Sequence, residues 1–361
     1  YIQSAAEHNK DLKIALANVR RARAVRKEQG GGLLPQIGSN NGRNRSQSSG
    51  AFNNFNGGQI LDRNDIGFDA SWELDIFGGN RRSIEASEAR IGSATAQYQD
   101  VMLSTLSEVA RTYYEARGLQ KRIAITEQNI QLLKETFNVV EDRLEAGETS
   151  NFDLARAQGE YELTRARVPN LNADLKASVF ALSVLLGQPP EALLEEMQTV
   201  KALPTPPDFV PIGLRSDILR RRPDIRIAER ELAASVADIG AQTAELFPKF
   251  FLTGDIGSQA GLFGDLFTTA GRVWSIGSIM QWSVFEGGAI RARIDMEKAE
   301  TEAALATYER SVLEALRDAE TALTRYGEEI ETRKRFAQGV KSRRKAVSLA
   351  KELFNAGEQD Y

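Results

Sequence analysis

A long proline-free segment with heptad periodicity constrains this chain most. No proline occurs between Arg81 and Ala146. Apolar residues recur there every seven positions, at Met102, Val109, Ala116, Ile123, Ile130, Phe137 and Leu144. A heptad kept over so many repeats predicts a coiled-coil helix rather than an ordinary amphipathic one. A helix over residues 79–147 would be roughly 100 Å long, so it needs a partner of similar length.

The chain contains the same arrangement twice. Asp11 and Pro35 have counterparts in Asp224 and Pro248, in both cases 213 positions later. Further matches follow in the same order: Trp72 with Trp282, Gly78-Gly79 with Gly287-Gly288, and Ala146-Gly147-Glu148 with Ala356-Gly357-Glu358. Chance does not supply an ordered set of this kind, so the sequence predicts a tandem duplication.

Each repeat is predicted to contain a helix, a strand pair and a very long helix. The first, residues 1–205, has strands at 36–45 and 65–77, the long helix at 79–147 and a return helix at 150–187 that Pro169 kinks or breaks. The second, residues 206–361, has a helix at 217–247, strands at 249–257 and 272–286, and the long helix at 288–357. Its return helix would follow Tyr361, so we expect the chain to be a fragment.

Strict alternation marks the strands. From Asp65 to Ile76, apolar residues with one tryptophan alternate with polar, mostly acidic residues. Side chains of a strand point alternately to opposite faces, so one face is wholly apolar. Such a strand has the length and pattern of a membrane-spanning β-strand. An ordinary half-buried sheet on a protein core is the alternative.

Four strands are too few to close a barrel. Because open strand edges leave backbone groups unpaired in lipid, several copies must contribute strands to one closed barrel.

Composition disfavours enzymes and nucleic-acid binders. The chain has no cysteine, one histidine (His8) and a net charge of −4. No phosphate loop, nucleophile motif or metal-ligand spacing is present, so we expect no catalytic residue, cofactor or metal and no nucleic-acid partner.

Several motifs resemble those of one family. They are Ser71-Trp-Glu-Leu-Asp-Ile-Phe-Gly-Gly79, Leu182-Ser-Val-Leu-Leu-Gly187 with Pro189, Leu219-Arg-Arg-Arg-Pro-Asp-Ile225 with Ala228-Glu229, Leu246-Phe-Pro-Lys-Phe-Phe-Leu-Thr-Gly254 and Phe285-Glu-Gly-Gly288. The chain resembles the TolC-like outer membrane factors, and among them the OprM-type (NodT-like) efflux outer membrane lipoproteins. The family's usual Leu-Pro-Ser is replaced by Leu214-Arg215-Ser216.

This resemblance implies a mainly α protein with a β-barrel part. Long antiparallel coiled-coil helices would form an α-barrel through the periplasm, and a homotrimer would share one twelve-stranded transmembrane β-barrel in the outer membrane of a Gram-negative bacterium. The partners would be a periplasmic adaptor and an inner-membrane efflux pump, and the cargo drugs or other small toxic compounds. The lipid-bearing cysteine of many family members would precede Tyr1.

Three groups of site residues follow. The turns at the periplasmic tip, as adaptor contact or gate, comprise Gly147, Glu148, Asp153, Gly357, Glu358 and Asp360. The barrel lumen would be lined by Asp65, Asp69, Glu73 and Asp75, giving a preference for cations. The lipid-facing side chains would be Phe68, Trp72, Leu74, Trp274 and Trp282.

Two other functions remain open from the sequence. A duct for secreted proteins would have the same fold. A soluble structural coiled-coil protein would bury the alternating strands and would need no detergent.

Overall fold

The computed structural model of the protein describes residues 1–47, 60–203 and 219–355. The described helices are α1 (Ile2–His8), α2 (Lys10–Gly31), α3 (Gly79–Glu145), α4 (Asn151–Arg165), α5 (Arg167–Leu185), α6 (Leu194–Gln198), α7 (Pro223–Ala244) and α8 (Ala289–Asn355). The strands β1 (Gln36–Gln47), β2 (Ile60–Leu74), β3 (Lys249–Ala260) and β4 (Arg272–Gln281) form one antiparallel sheet in the order β1-β2-β3-β4.

The helices beside the sheet follow the order of the strands. Along the chain, α2 leads into β1, α3 leaves β2, α7 leads into β3 and α8 leaves β4. In space, α2 packs on α3, α3 on α7 and α7 on α8. The two repeats are therefore interlocked, because the long helix of the first lies along the short helix of the second.

Small residues allow α3 and α7 to approach closely. Ala86, Ala234 and Ala237 form a buried cluster between the two helices. A Cβ atom on Gly79 would lie only 3.0 Å from the Cβ atom of Ala244. Larger side chains here would push the helices apart, and with them the ends of β2 and β3.

The two long helices have the same length but differ in burial. Both α3 and α8 contain 67 residues. The heptad residues of α3 are all buried or half-buried. On α8 the equivalent stripe is open to solvent at Tyr326, Val340 and Val347, which are 41%, 49% and 57% exposed. This part of α8 has a coiled-coil surface without a partner among the described residues.

The main apolar core lies where α5 turns back beside α1 and α3. Its members are Ala5, Val109, Ala116, Val179, Leu182, Leu186, Leu193 and Met197. Asn9, between α1 and α2, donates from Nδ2 to the Leu185 carbonyl over 2.8 Å. Gly187 has φ +72°, and a Cβ atom there would lie 2.5 Å from the His8 carbonyl oxygen. Only glycine satisfies both the turn and this contact.

Several predicted boundaries need correction. The first strand pair spans 36–47 and 60–74, not 36–45 and 65–77, because the β1–β2 ladder continues to the pair Gln47–Ile60. The second spans 249–260 and 272–281, not 249–257 and 272–286. The return helix is divided at Ala166, three residues before Pro169, into α4 and α5. The helix predicted at 217–247 is seen as Pro223–Ala244, and its first positions lie outside the described residues. The first long helix, α3, ends at Glu145 rather than at residue 147, and the second, α8, starts at Ala289 rather than at residue 288.

Among the described helices, none by itself has the length and apolar composition of a membrane span; only the pair 151–185 and 190–198, bent by 112°, meets that test jointly.

Candidate functional site

One face of the sheet presents apolar side chains to the outside. Cross-strand partners place Ile66, Phe68 and Trp72 of β2 on the same face as Leu252 and Ile256 of β3 and Trp274, Ile276 and Met280 of β4. All of these side chains are exposed, with Phe68 at 61% and Trp274 at 75%. We call this surface the outer face. A soluble protein rarely exposes so large a contiguous apolar surface without something to cover it.

The opposite, inner face carries acids. Asp65, Asp69 and Glu73 of β2 share it. Asp255 of β3 joins them, because it lies directly opposite Asp69. The alternation of residues 250–257 already places Asp255 on the polar side of its strand. The sequence does not show which strand lies beside it, and only the β2–β3 register brings Asp255 next to the predicted acids.

Neighbouring polar groups hold these acids in place. The Asn40 amide donates to Asp69 Oδ1 over 2.8 Å, and the Ser275 hydroxyl donates to Asp255. The Asp69 carboxylate lies over Gly38, where a Cβ atom would be 2.9 Å from its oxygen. The Asp65 carboxylate lies over Gly42 in the same way, with a distance of 2.9 Å, so a side chain at either glycine would displace the carboxylate above it.

Asp75 is not a strand residue, contrary to the prediction that it lines the lumen with the strand acids. Its Oδ1 accepts from the backbone N–H of Asn80 (3.1 Å), and its Oδ2 accepts from the backbone N–H and the side-chain Nε of Arg81 (3.0 and 3.1 Å). The Asp75 side chain is only 9% exposed. A carboxylate that accepts from the first backbone N–H groups of a helix stabilises the helix start. Asp75 therefore lies between β2 and α3 and stabilises the start of α3.

Trp282 also lies outside the observed strand, although the predicted strand 272–286 includes it, because β4 ends at Gln281. Its indole Nε1 donates to the Leu246 carbonyl over 3.1 Å. Trp72, its repeat counterpart, donates to the Leu33 carbonyl over 3.0 Å. Leu33 and Leu246 are themselves repeat counterparts, each two residues before a proline. The same indole–carbonyl bond thus closes both helix–strand joints.

An aromatic stack connects the joints of the two repeats. The rings of Phe77, before α3, and Phe247, after α7, lie 4.7 Å apart and are stacked. Together with the indole bonds, this stack fixes how the helices enter the sheet.

The described tip turn is built around Gly147. Its φ is +76°, and the next amide, of Glu148, donates to the Arg143 carbonyl over 2.8 Å. Ser150 and Asp153 then form a reciprocal capping box at the start of α4. Hydrogen bonds from the Ser150 and Thr149 hydroxyls lower the pKa of Asp153. Asp153 therefore shapes the turn, whereas Glu148 is exposed and free to contact another protein. Gly357, Glu358 and Asp360 lie outside the described residues.

A buried arginine, not identified from the sequence, holds the segment after α6. Arg117 is 2% exposed and lies over the Tyr113 ring, 5.2 Å from its centroid. Its Nη1 donates to the Thr199 carbonyl (2.7 Å) and to Gln120 Oε1 (2.8 Å). Gln120 in turn donates to the Met197 carbonyl. In the sequence, the spacing of four residues between Tyr113 and Arg117 on a predicted helix could have indicated their cation–π contact.

The Arg-Pro-Asp motif connects three helices. Pro223 is the first residue of α7, a position where its missing N–H costs nothing. Arg222 Nη2 lies 2.7 Å from Asp224 and 3.4 Å from Asp318 of α8. The hydrogen bond from Arg222 lowers the pKa of Asp224. Burial, and then the charge of Asp224, raise the pKa of Asp100 on α3.

Within the described residues, no three His, Cys, Asp or Glu side chains are grouped so as to hold a metal ion.

The family profile described as "Outer membrane efflux protein" matches residues 1–188 and 214–361. Nodulation protein T of Rhizobium leguminosarum bv. trifolii is 31% identical over 81% of this chain and 61% of its own length. The solvent efflux pump outer membrane protein SrpC of Pseudomonas putida is 29% identical over 100% of this chain and 76% of its own length. The chain thus spans under two thirds of the first of these relatives.

Solved structures have the same fold. The outer-membrane channel OprN has a TM-score of 0.92 and 35% identity, covering 99% of this chain and 80% of OprN. The open MtrE outer membrane channel of Neisseria gonorrhoeae has a TM-score of 0.86 and 26% identity, covering 99% of this chain and 79% of MtrE. The family resemblance and the fold class predicted from the sequence are confirmed.

Proposed function

Because this chain belongs to the outer membrane efflux protein family, we propose that it is one protomer of a trimeric outer-membrane exit duct. In this proposal, three copies each give four strands to one closed barrel, and their long helices form a tube through the periplasm. A periplasmic adaptor and an inner-membrane pump deliver drugs or other small toxic compounds to the tube. The chain's role is passage rather than chemical conversion.

The observation that carries the proposal is the two-faced sheet with open edges. Its outer face is exposed and apolar, and its inner face carries Asp65, Asp69 and Asp255. Among the described strands, β1 and β4 each pair on one side only. In lipid these edges need strand partners, and further copies of the same sheet supply them.

The stripe on α8 supports the helical tube. A coiled-coil helix with Tyr326, Val340 and Val347 exposed is stable when neighbouring helices cover that stripe. A closed ring of such helices covers every stripe and leaves a polar passage.

Small-molecule cargo is supported by the relatives. SrpC is named for a solvent efflux pump and OpmQ of Pseudomonas aeruginosa for pyoverdine export. We favour cargo of this size over secreted proteins.

The first experiment measures the mass of the detergent-extracted protein and its conductance in a planar bilayer. A detergent-dependent trimer that forms pores is the expected result. A water-soluble monomer or dimer without conductance would contradict the proposal and favour a structural coiled-coil protein. Export of a folded or unfolded protein substrate, with no change in solvent or drug sensitivity on deletion, would favour the secretion duct.

We further propose that the tip turn around Gly147, Glu148 and Asp153 contacts the adaptor and gates the tube, as would its counterpart with Gly357, Glu358 and Asp360. The exposed Glu148 supports the contact. The bond from the Glu148 N–H to the Arg143 carbonyl and the capping box at the start of α4 support movement of α3 and α4 as one unit. Cysteine pairs placed across neighbouring tips should block export when oxidised and restore it when reduced. Unchanged export with the disulfides formed would exclude this gate.

A further inference from the structure

The outer face changes from apolar to basic towards the hairpin loops. Side chains alternate along a strand and cross-strand partners share a face. The register therefore places Arg43 and Arg45 of β1, and Arg272 of β4, on the same face as Phe68 and Trp274. All three arginines are exposed and lie on the loop side of Phe68 and Trp274. On β2, the exposed Ile60 of this face lies closer still to the loop.

These arginines occupy the two edges of the sheet. The strand ends are staggered: β1 runs from the level of Ser71 to that of Ile60, whereas β4 runs from beyond the level of Leu74 to that of Ile66. A stagger of this kind is what tilted strands in a barrel with level rims require. When the strands tilt so that their loop ends lie at one height along the barrel axis, Arg272, the first residue of β4, comes to about the height of Arg45, near the end of β1.

In the trimer, β4 of one copy lies beside β1 of the next. Adjacent strands are about 5 Å apart, which is within reach of arginine side chains. Arg272 of one copy and Arg43 and Arg45 of its neighbour thus meet on the lipid side of each seam between copies. We call these three residues the seam arginines.

Among the described residues, Arg45 is the one seam arginine with an ion pair, and Arg43 and Arg272 have none. Arg45 lies 3.8 Å from Asp62, a distance longer than a hydrogen bond, and its side chain stays 63% exposed. The connecting segment 48–59 contains no acidic residue, and the segment 261–271 contains only Asp265. The seam therefore keeps a net positive charge directly next to an apolar band.

We propose, on the basis of the trimeric duct above, that each seam binds the phosphate groups of an anionic outer-leaflet lipid. Its acyl chains would lie along the apolar outer face, over residues such as Phe68 and Trp274. Guanidinium groups bind phosphate oxygens in a forked geometry, and basic clusters beside an apolar band recognise anionic lipid headgroups. The lipid bridges two copies, so it also strengthens the contact between them.

Native mass spectrometry of the protein in detergent tests this inference with bisphosphorylated lipid A as the probe. The wild-type trimer should retain up to three lipids, one at each seam. Dephosphorylated lipid A and phosphatidylethanolamine should be retained much less, and free inorganic phosphate should compete only weakly. Replacing one arginine, as in Arg272→Gln, should weaken retention about five-fold, and replacing all three roughly a hundred-fold.

Arg63→Gln is the matched control. Arg63 lies at the same end of the sheet but on the inner face, where it is 3.7 Å from Asp65. This variant should keep wild-type lipid retention. The same spectra report the oligomer, which separates the two hypotheses. A trimer that retains lipid A equally in wild type and triple variant, or equally well without phosphates, would overturn this inference alone, whereas a monomeric wild type would overturn the proposed duct.

Discussion

At the scale of single residues, the effect of each acid depends on its neighbours rather than on its type. Asp224 is held by Arg222, and its stabilising contribution is present above the pKa of an unfolded aspartate and lost as pH falls through its lowered folded pKa. The charge of Asp100 has the opposite effect on stability. Its raised folded pKa means that its ionised form costs stability at neutral pH, and acidification relieves that cost.

Asp100→Asn is therefore expected to raise the melting temperature of the protein at pH 7. The amide removes a partly buried charge that is repelled by Asp224, and the gain should shrink as pH falls through the range in which Asp100 takes up its proton. Thermal unfolding in detergent at pH 7 and at pH 4 measures this. Glu127→Gln, at an exposed position of the same helix, should leave the melting temperature unchanged at both pH values. A melting temperature lowered by Asp100→Asn at pH 7 would contradict the argument.

Asp75 and Trp282 show where sequence reasoning stops at this scale. Both continue the alternation of apolar and polar residues in the strands before them, so the alternation by itself assigns them to those strands. The structure uses them differently, because Asp75 accepts from the first amides of α3 and Trp282 donates to Leu246. Such partners lie outside the local pattern and cannot be read from it. The faces predicted for Asp65, Asp69 and Phe68 rest on the alternation itself, and their roles in lumen and lipid contact stay predictions.

At the scale of elements, the heptads, the duplication and the alternation of apolar and polar residues were sufficient to predict two long helices of similar length and four strands in two pairs. They could not predict that α3 packs along α7 of the other repeat, because that contact depends on Gly79, Ala86 and Ala234 meeting across a long sequence separation. They also missed Arg117, since its burial requires the segment after α6 to fold back over α3. Contacts between distant segments decide both features.

The two helix–strand joints give a test at this scale. Trp72→Phe and Trp282→Phe keep an aromatic ring but remove the indole bonds to Leu33 and Leu246. Each substitution is expected to lower the folding stability of the protein by about 1 kcal/mol, the net contribution of one hydrogen bond, and the double variant by about twice that. The temperature at which the trimer dissociates in sodium dodecyl sulfate measures the loss. Trp274→Phe is the control, since Trp274 makes no hydrogen bond among the described residues; an equal loss in this control would show that ring size rather than the bond matters.

At the scale of the whole molecule, a closed barrel turns the inner face of each sheet into part of one passage. Asp65, Asp69, Glu73 and Asp255 then recur in every copy and surround the same water-filled space. Rings of carboxylates concentrate cations and repel anions, so the open pore should prefer cations. Asp69→Asn with Asp255→Asn removes the two acids that face each other across β2 and β3, and should move the reversal potential in a salt gradient towards zero. Ser71→Ala, on the same face of β2 but without a change in charge, should leave the reversal potential unchanged. Anion preference in the wild type, or a reversal potential unmoved by the double variant, would place the acids outside the passage and reverse the assignment of the two faces.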